Sequence, residues 1–193
     1  LSLIVNPAGG YPAVLFYFVE SFIDVELKEI LEDYELNFCH KKCTVETGYK
    51  KLPEFTVVFN ATNLFHLLGI HKLHTRYTAT SWIEAVRNNS FRLNDFSKRP
   101  EFKDIIPRIR NYEFFYEIFY QDKVKICLLE KDLKRNTMNL SVVFYKNEQK
   151  RIVVLGLRRD KFNNFIPITL HESRNNIYKG SRQTAVKGIT WHN

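Results

Sequence analysis

Val124-Lys125-Ile126-Cys127-Leu128 is the first of four apolar runs in the second half of the chain. Leu140-Ser141-Val142-Val143-Phe144, Ile152-Val153-Val154-Leu155-Gly156-Leu157 and Phe165-Ile166-Pro167-Ile168-Thr169-Leu170 follow it. Each is short and rich in β-branched, aromatic or leucine side chains, the composition of a strand packed on at least one face. The polar segments between them, Lys134 to Asn139, Lys146 to Lys150 and Arg159 to Asn164, are short enough to join antiparallel neighbours. The four runs therefore read as an antiparallel meander, with a further strand around Gln183 to Ile189.

Upstream the periodicity changes. From about Ala13 to Leu36, apolar residues including Phe18, Phe22, Val25, Ile30 and Leu31 recur at helical intervals after a turn-prone Asn6-Pro7-Ala8-Gly9-Gly10. Within this stretch Tyr11 to Ile23 is the most apolar part, but it carries Pro12 and Glu20 and falls short of the roughly 20 residues a bilayer requires. It reads as a core helix, and no membrane partner is expected. Lys41 to Pro53 is polar and turn-like, and Phe55-Thr56-Val57-Val58-Phe59 is a short strand.

A helix then starts at Asn60 or Thr62 and carries Leu64, Phe65, Leu67 and Leu68, with Gly69 ending its first part. Two more are expected, one from Thr80 or Ser81 to Asn89 and one over Arg108 to Tyr120. Helices first and strands second give an α+β fold: N-terminal helices packed on one face of an antiparallel four- to five-stranded meander, its other face open to a ligand. One domain over residues 1–193 is expected, with a mainly helical half (1–120) and a sheet half (121–193).

Composition narrows the partner. The chain has 29 Lys and Arg against 21 Asp and Glu, a formal charge of +8, together with 16 Phe, 10 Tyr and 2 Trp. Such a balance favours phosphate backbones or anionic surfaces, and the aromatic content supplies a substantial core. Three cysteines, Cys39, Cys43 and Cys127, form no regular framework and point to a reducing compartment. Cys39, His40 and Cys43 lack a second ligand pair for zinc, so no metal and no cofactor are expected. A glycine-rich phosphate loop, a His-Glu-x-x-His pair and a Gly-x-Ser-x-Gly elbow are all missing from the sequence, which removes the usual support for nucleotide hydrolysis, metalloprotease and serine hydrolase readings.

Titratable side chains concentrate in two places. Asn63-Leu64-Phe65-His66-Leu67-Leu68-Gly69-Ile70-His71-Lys72-Leu73-His74 holds three of the six histidines beside a lysine. If the helix continued through Gly69, His71 would share a face with Leu64, Leu67 and Leu68; if Gly69 ends it, His71 opens a loop at the edge of the core. The bland reading is a hydrogen-bonded boundary histidine with solvated neighbours. The sharper one is proton transfer to or from a ribose hydroxyl, with Lys72 stabilising anionic phosphorus. The second group comprises Arg158 and Arg159, then Thr169, His171, Glu172 and Arg174, then Tyr178, Lys179, Ser181 and Arg182. Strand alternation puts Thr169 and His171 on one face and Leu170 and Glu172 on the other.

Phe59 to His71 and Val154 to Lys179 resemble a family of phage-type nucleases, the fourth of those grouped with barnase, EndoU, the colicin E5 and D toxins and RelE. The residues that carry the likeness are Asn63-Leu64-Phe65-His66-Leu67-Leu68-Gly69-Ile70-His71, Leu155-Gly156-Leu157-Arg158 and Phe165-Ile166-Pro167-Ile168-Thr169. It covers about two thirds of the chain and says little before Tyr49. The resemblance implies a metal-independent ribonuclease of helices on an antiparallel sheet, with His66, His71, Arg158 and Thr169 as candidate site residues. His171, Arg174, Lys179 and Lys72 are added from the residue reading alone.

On this basis the expected function is an endoribonuclease acting by 2′-hydroxyl attack, with His71 and His171 as acid and base. The resemblance implies a toxin or phage-conflict effector working in the cytoplasm, with an antitoxin or immunity protein as partner. A non-catalytic RNA-binding module and a basic interaction protein with an inactive nuclease fold are the alternatives.

Overall fold

Leu27, Ile30, Leu31, Tyr34 and Phe38 recur at three- and four-residue steps, and their burial on one side fixes the first helix, α1 (Ile23–Asn37). The computed structural model describes residues 23–192 apart from 135 and 149. The turn at residues 6–10, the apolar segment Tyr11 to Ile23 and the first part of the expected Ala13 to Leu36 helix fall largely outside them. After α1 come the strands β1 (Lys42–Thr47) and β2 (Glu54–Val58) and the helices α2 (Ala61–Leu67), α3 (Ala79–Arg87), α4 (Phe102–Arg110) and α5 (Phe114–Phe119). The strands β3 (Ile126–Leu129), β4 (Val142–Glu148), β5 (Arg151–Arg159), β6 (Phe165–Ser173) and β7 (Thr184–His192) complete the order.

The α+β class and the antiparallel meander β3-β4-β5-β6 are as the sequence leads one to expect. The sheet is larger, with seven strands in the order β1-β2-β6-β5-β4-β3-β7 closing into a ring. Two differences account for this. Lys42-Cys43-Thr44-Val45-Glu46-Thr47 is a strand rather than a turn, with Cys43, Val45 and Thr47 turned inward, and it pairs with both β2 and β7. The last strand also runs to His192 and bridges β1 to β3. Likewise the expected helix over Arg108 to Tyr120 is two helices, interrupted at Asn111, whose amide side chain donates to the Pro107 carbonyl at 2.7 Å.

The main core lies between the helices and one face of the strands. Tyr34, Phe38, Phe59, Phe115, Phe119 and Trp191 stack or meet edge to face with centroids 5.1 to 6.4 Å apart. Asp33 anchors α1 to α5 by accepting from the hydroxyls of Tyr112 and Tyr116, each at 2.7 Å. The second face of the meander is not open to solvent as the sequence reading supposed. Leu128, Val143, Tyr145, Ile152 and Val154 on that face form a second apolar cluster, closed by Leu140 and by Tyr178 from the β6–β7 connection. Alternation within β4 and β5 divides their residues between the two cores, so these strands are buried on both sides.

The ring is tied loosely at one seam. β2 meets β6 in a parallel contact registered only at Val57 opposite Phe165, whereas β6 pairs with β5 along its length. Beyond Phe165, α2 and α4 pack against β6. Pro167, which has no N–H to give a ladder, sits where the β5–β6 register slips between Gly156 and Leu157, the kind of position a strand proline tolerates.

Candidate active site

Along that seam a cleft of about 1020 Å³ opens between β6 and the helices α2 and α4. Its walls come from α2, the turn after it, α4, the loop before β4, β5 and β6, and local sequence explains how the main groups are aimed. Asn60 starts α2, its N–H donating to the Asn63 side-chain oxygen at 2.8 Å while the Asn63 N–H donates to the Asn60 carbonyl at 2.9 Å. Nine residues after Asn60, Gly69 adopts a left-handed conformation, φ 76°, and ends the helix. The chain reverses into a single 3₁₀ turn over Ile70–Leu73, burying Ile70 and Leu73 and leaving His71 exposed at the cleft. Of the two placements the sequence allowed for His71, the structure has the one in which Gly69 ends the helix.

The reversal brings the rings of His66 and His71 to 4.9 Å between centroids, and both line the cleft. Partial burial and the neighbouring His66 lower the His71 pKa below its ordinary value, against a hydrogen bond to the Phe65 backbone that raises it. Arg108 and Lys72 push it in the same downward direction. Lys72 itself pairs with Asp104 at 3.4 Å.

From β6 come Thr169 and His171, two residues apart and so on one strand face. Thr169 Oγ1 lies 3.2 Å from His171 Nδ1, which orients the imidazole. Burial, then the charges of Arg108 and Lys72, hold the His171 pKa down at about 4. Thr169 owes its place to Gly156 directly opposite on β5, where a Cβ would come within 2.8 Å of the Thr169 methyl and 2.9 Å of Leu140. Only a glycine leaves room for that approach.

Charge in the cleft is strongly one-sided. Lys72, Lys103, Arg108, Arg151, Arg158 and Arg174 face two carboxylates, Asp104 and Glu172. Glu172 is occupied, accepting from Arg151 at 2.6 Å and from Asn111 at 2.7 Å. Arg158 donates to the Met138 carbonyl at 2.5 Å, holding the loop before β4 against the cleft. The surface is thus concave, cationic and equipped with three imidazoles, an arrangement able to bind a phosphodiester and to move protons beside it.

A family model described as phage-Barnase-EndoU-ColicinE5/D-RelE like nuclease4 matches residues 26–193. The chain belongs to this nuclease family. No curated protein and no solved structure matches it. The match begins in α1 and extends well before Tyr49, so α1 and β1, on which the sequence likeness was silent, are part of the family's pattern.

Seven of the eight residues singled out in this nuclease from sequence line the cleft: His66, His71, Lys72, Arg158, Thr169, His171 and Arg174. Lys179 does not. The connection after β6 folds back so that Tyr178 plugs the second apolar cluster, its ring 5.7 Å from Tyr145, and this turns Lys179 to solvent away from the cleft. The thiols of Cys39, Cys43 and Cys127 are buried, and burial drives each up to about 12, leaving them protonated core side chains. Among the described residues no group of three or more His, Cys, Asp or Glu is placed to hold a metal ion.

Sequence reasoning missed Lys103, Asp104, Arg108 and Arg151. For Arg108 a signal was present: it falls three residues after Ile105 and one before Ile109, on the buried face of α4. An arginine on an apolar stripe is a buried charge that requires an explanation.

Proposed function

We propose that this nuclease is an endoribonuclease that uses the ribose 2′-hydroxyl as its nucleophile and needs no metal. The observation that supports this best is the convergence of His71 and His171, from separate elements, with the Lys72, Arg158 and Arg174 charges around one cleft. With its pKa held near 4, His171 is neutral at neutral pH. In the tautomer whose Nδ1–H donates to Thr169 Oγ1, Nε2 is left as a proton acceptor. It takes the 2′-hydroxyl proton as the 2′-oxygen bonds to phosphorus. The bond from phosphorus to the 5′-oxygen breaks, and His71 returns a proton to that oxygen. The products are a 2′,3′-cyclic phosphate and a 5′-hydroxyl end.

A seated phosphodiester supports the acid role of His71. Its negative charge offsets Lys72 and Arg108, two of the charges that disfavour a protonated imidazole there. The same electrostatics favour a rival reading, since with both pKa values lowered no protonated imidazole is secured at neutral pH, and the cleft would bind RNA without cutting it. Cleavage of RNA by the parent protein separates the two, and replacement of either imidazole then tests the roles. General acid and base catalysis is worth about 10²- to 10⁴-fold, so His71→Ala and His171→Ala lose cleavage on that scale while RNA binding persists. Cleavage by both variants at the parent rate contradicts the roles, and cleavage abolished by EDTA contradicts metal independence. The setting we propose is a toxin or phage-conflict effector acting on cytoplasmic RNA, restrained by an antitoxin or immunity protein whose acidic surface covers the cleft.

A further inference from the structure

Arg108 is only 6% exposed, yet it lines the cleft. Its Nη1 donates to the Leu67 carbonyl at 3.0 Å, which satisfies one of the orphan acceptors at the end of α2. Its Nε is buried without a hydrogen-bond partner, and no carboxylate among the described residues forms an ion pair with it. Asp104, one turn earlier on α4, acts on Arg108 through its charge but makes no ion-pair contact with it and is engaged with Lys72, and Glu172 is engaged with Arg151. The guanidinium is seated over Gly69, where a Cβ would stand 3.0 Å from Nε and 3.1 Å from Cδ. A desolvated cation with one carbonyl contact is costly for a protein to keep unless a counter-ion completes it. Capping the α2 terminus explains one N–H of five.

We infer that Arg108 is the anion seat of the cleft, the residue whose counter-ion is a phosphate oxygen of the bound ligand, with Lys72, His71 and His171 around it. As a function this rests on the ribonuclease reading, in which the ligand is the scissile phosphodiester; as a binding site it stands on the unpaired buried guanidinium alone. A planar fork suits two oxygens of one phosphate, and at low dielectric it stabilises the charge that builds on them during attack. Gly69 then has two tasks, reversing the chain after α2 and leaving space for the guanidinium beneath His71.

The test uses inorganic phosphate and the full chain at constant ionic strength, with chloride as the control anion. The C–H signals of the histidine rings are followed by NMR through a pH titration. The charged and titratable groups that line the cleft with His71 and His171 are His66, Lys72, Lys103, Asp104, Arg108, Arg151, Arg158, Glu172 and Arg174. Added phosphate raises the midpoints of His71 and His171 saturably, and chloride does not. In Arg108→Gln the phosphate affinity falls by about tenfold or more, the size of a charged hydrogen bond, while Lys179→Gln, outside the cleft, retains it. Should Arg108→Gln fail to fold, the wild-type arginine Nε–H spectrum serves instead, with one protected signal moving on phosphate addition.

Absence of a saturable shift, or equal affinity in Arg108→Gln, overturns the inference. Phosphate binding at Arg108 without RNA cleavage leaves the anion seat intact and removes only the ribonuclease reading. RNA cleavage that Arg108→Gln retains in full removes the anion seat and leaves the ribonuclease reading standing.

Discussion

His171 connects the chemistry of the cleft to the stability of the fold. An unfolded chain protonates this imidazole near its ordinary value of 6.5, whereas the folded chain resists until about 4. Between those values the unfolded state binds the extra proton, so the contribution of His171, complete above 6.5, drains away as pH falls toward 4. The loss amounts to up to about 3 kcal/mol. Urea unfolding at pH 7 and pH 4.5 measures it, and His171→Asn flattens the pH slope; an unchanged slope contradicts the assignment. Histidines 66 and 71 were each legible as candidates because they lie in one short stretch, but the meeting of their rings was not, since it depends on the chain reversal at Gly69. Arg108 showed only as a charge on an apolar stripe, because its meaning depends on Leu67 and Gly69, about forty positions away, and on the carboxylates that are engaged elsewhere.

At the scale of elements, β5 and β6 carry the site together. Their pairing sets Gly156 under Thr169, and Thr169 sets His171. Gly156→Ala therefore drives a methyl against the side-chain methyls of Thr169 and Leu140, which must shift, with an expected loss of about 1 to 3 kcal/mol in urea or thermal unfolding. Cleavage by the folded fraction falls with it, because Thr169 no longer braces the imidazole; a variant with parent stability and activity contradicts this linkage. The four meander strands were readable from composition: β3, β4 and β5 are buried on both faces for much of their length, and β6 is apolar through its first half, so each shows as an apolar run. β1 escaped because it buries one face only. Lys42, Thr44 and Glu46 point outward or lie half-buried between Cys43, Val45 and Thr47, and the polar half of the alternation disguised the strand.

Across the whole molecule, closure of the sheet moves the working surface. A meander with an open face would present a broad platform, but the second apolar cluster fills that face and leaves the β6 seam as the place where cations gather. Six of the 29 Lys and Arg are thus gathered at one cleft by topology, a grouping that sequence alone does not encode. RNA binding should weaken as salt rises, and Arg158→Ala and Arg174→Ala should each lower the slope of log affinity against log salt by about 0.7, with Lys179→Ala leaving it unchanged. Equal effects from all three would place the contact surface elsewhere. The most direct measurement uses an RNA oligonucleotide cut at a mapped position and the same oligonucleotide carrying a single 2′-deoxyribose on the 5′ side of that bond. The account predicts a 2′,3′-cyclic phosphate and a 5′-hydroxyl from the first and no cleavage at that bond in the second. Cleavage of both alike, or ends bearing a 3′-hydroxyl and a 5′-phosphate, would contradict it.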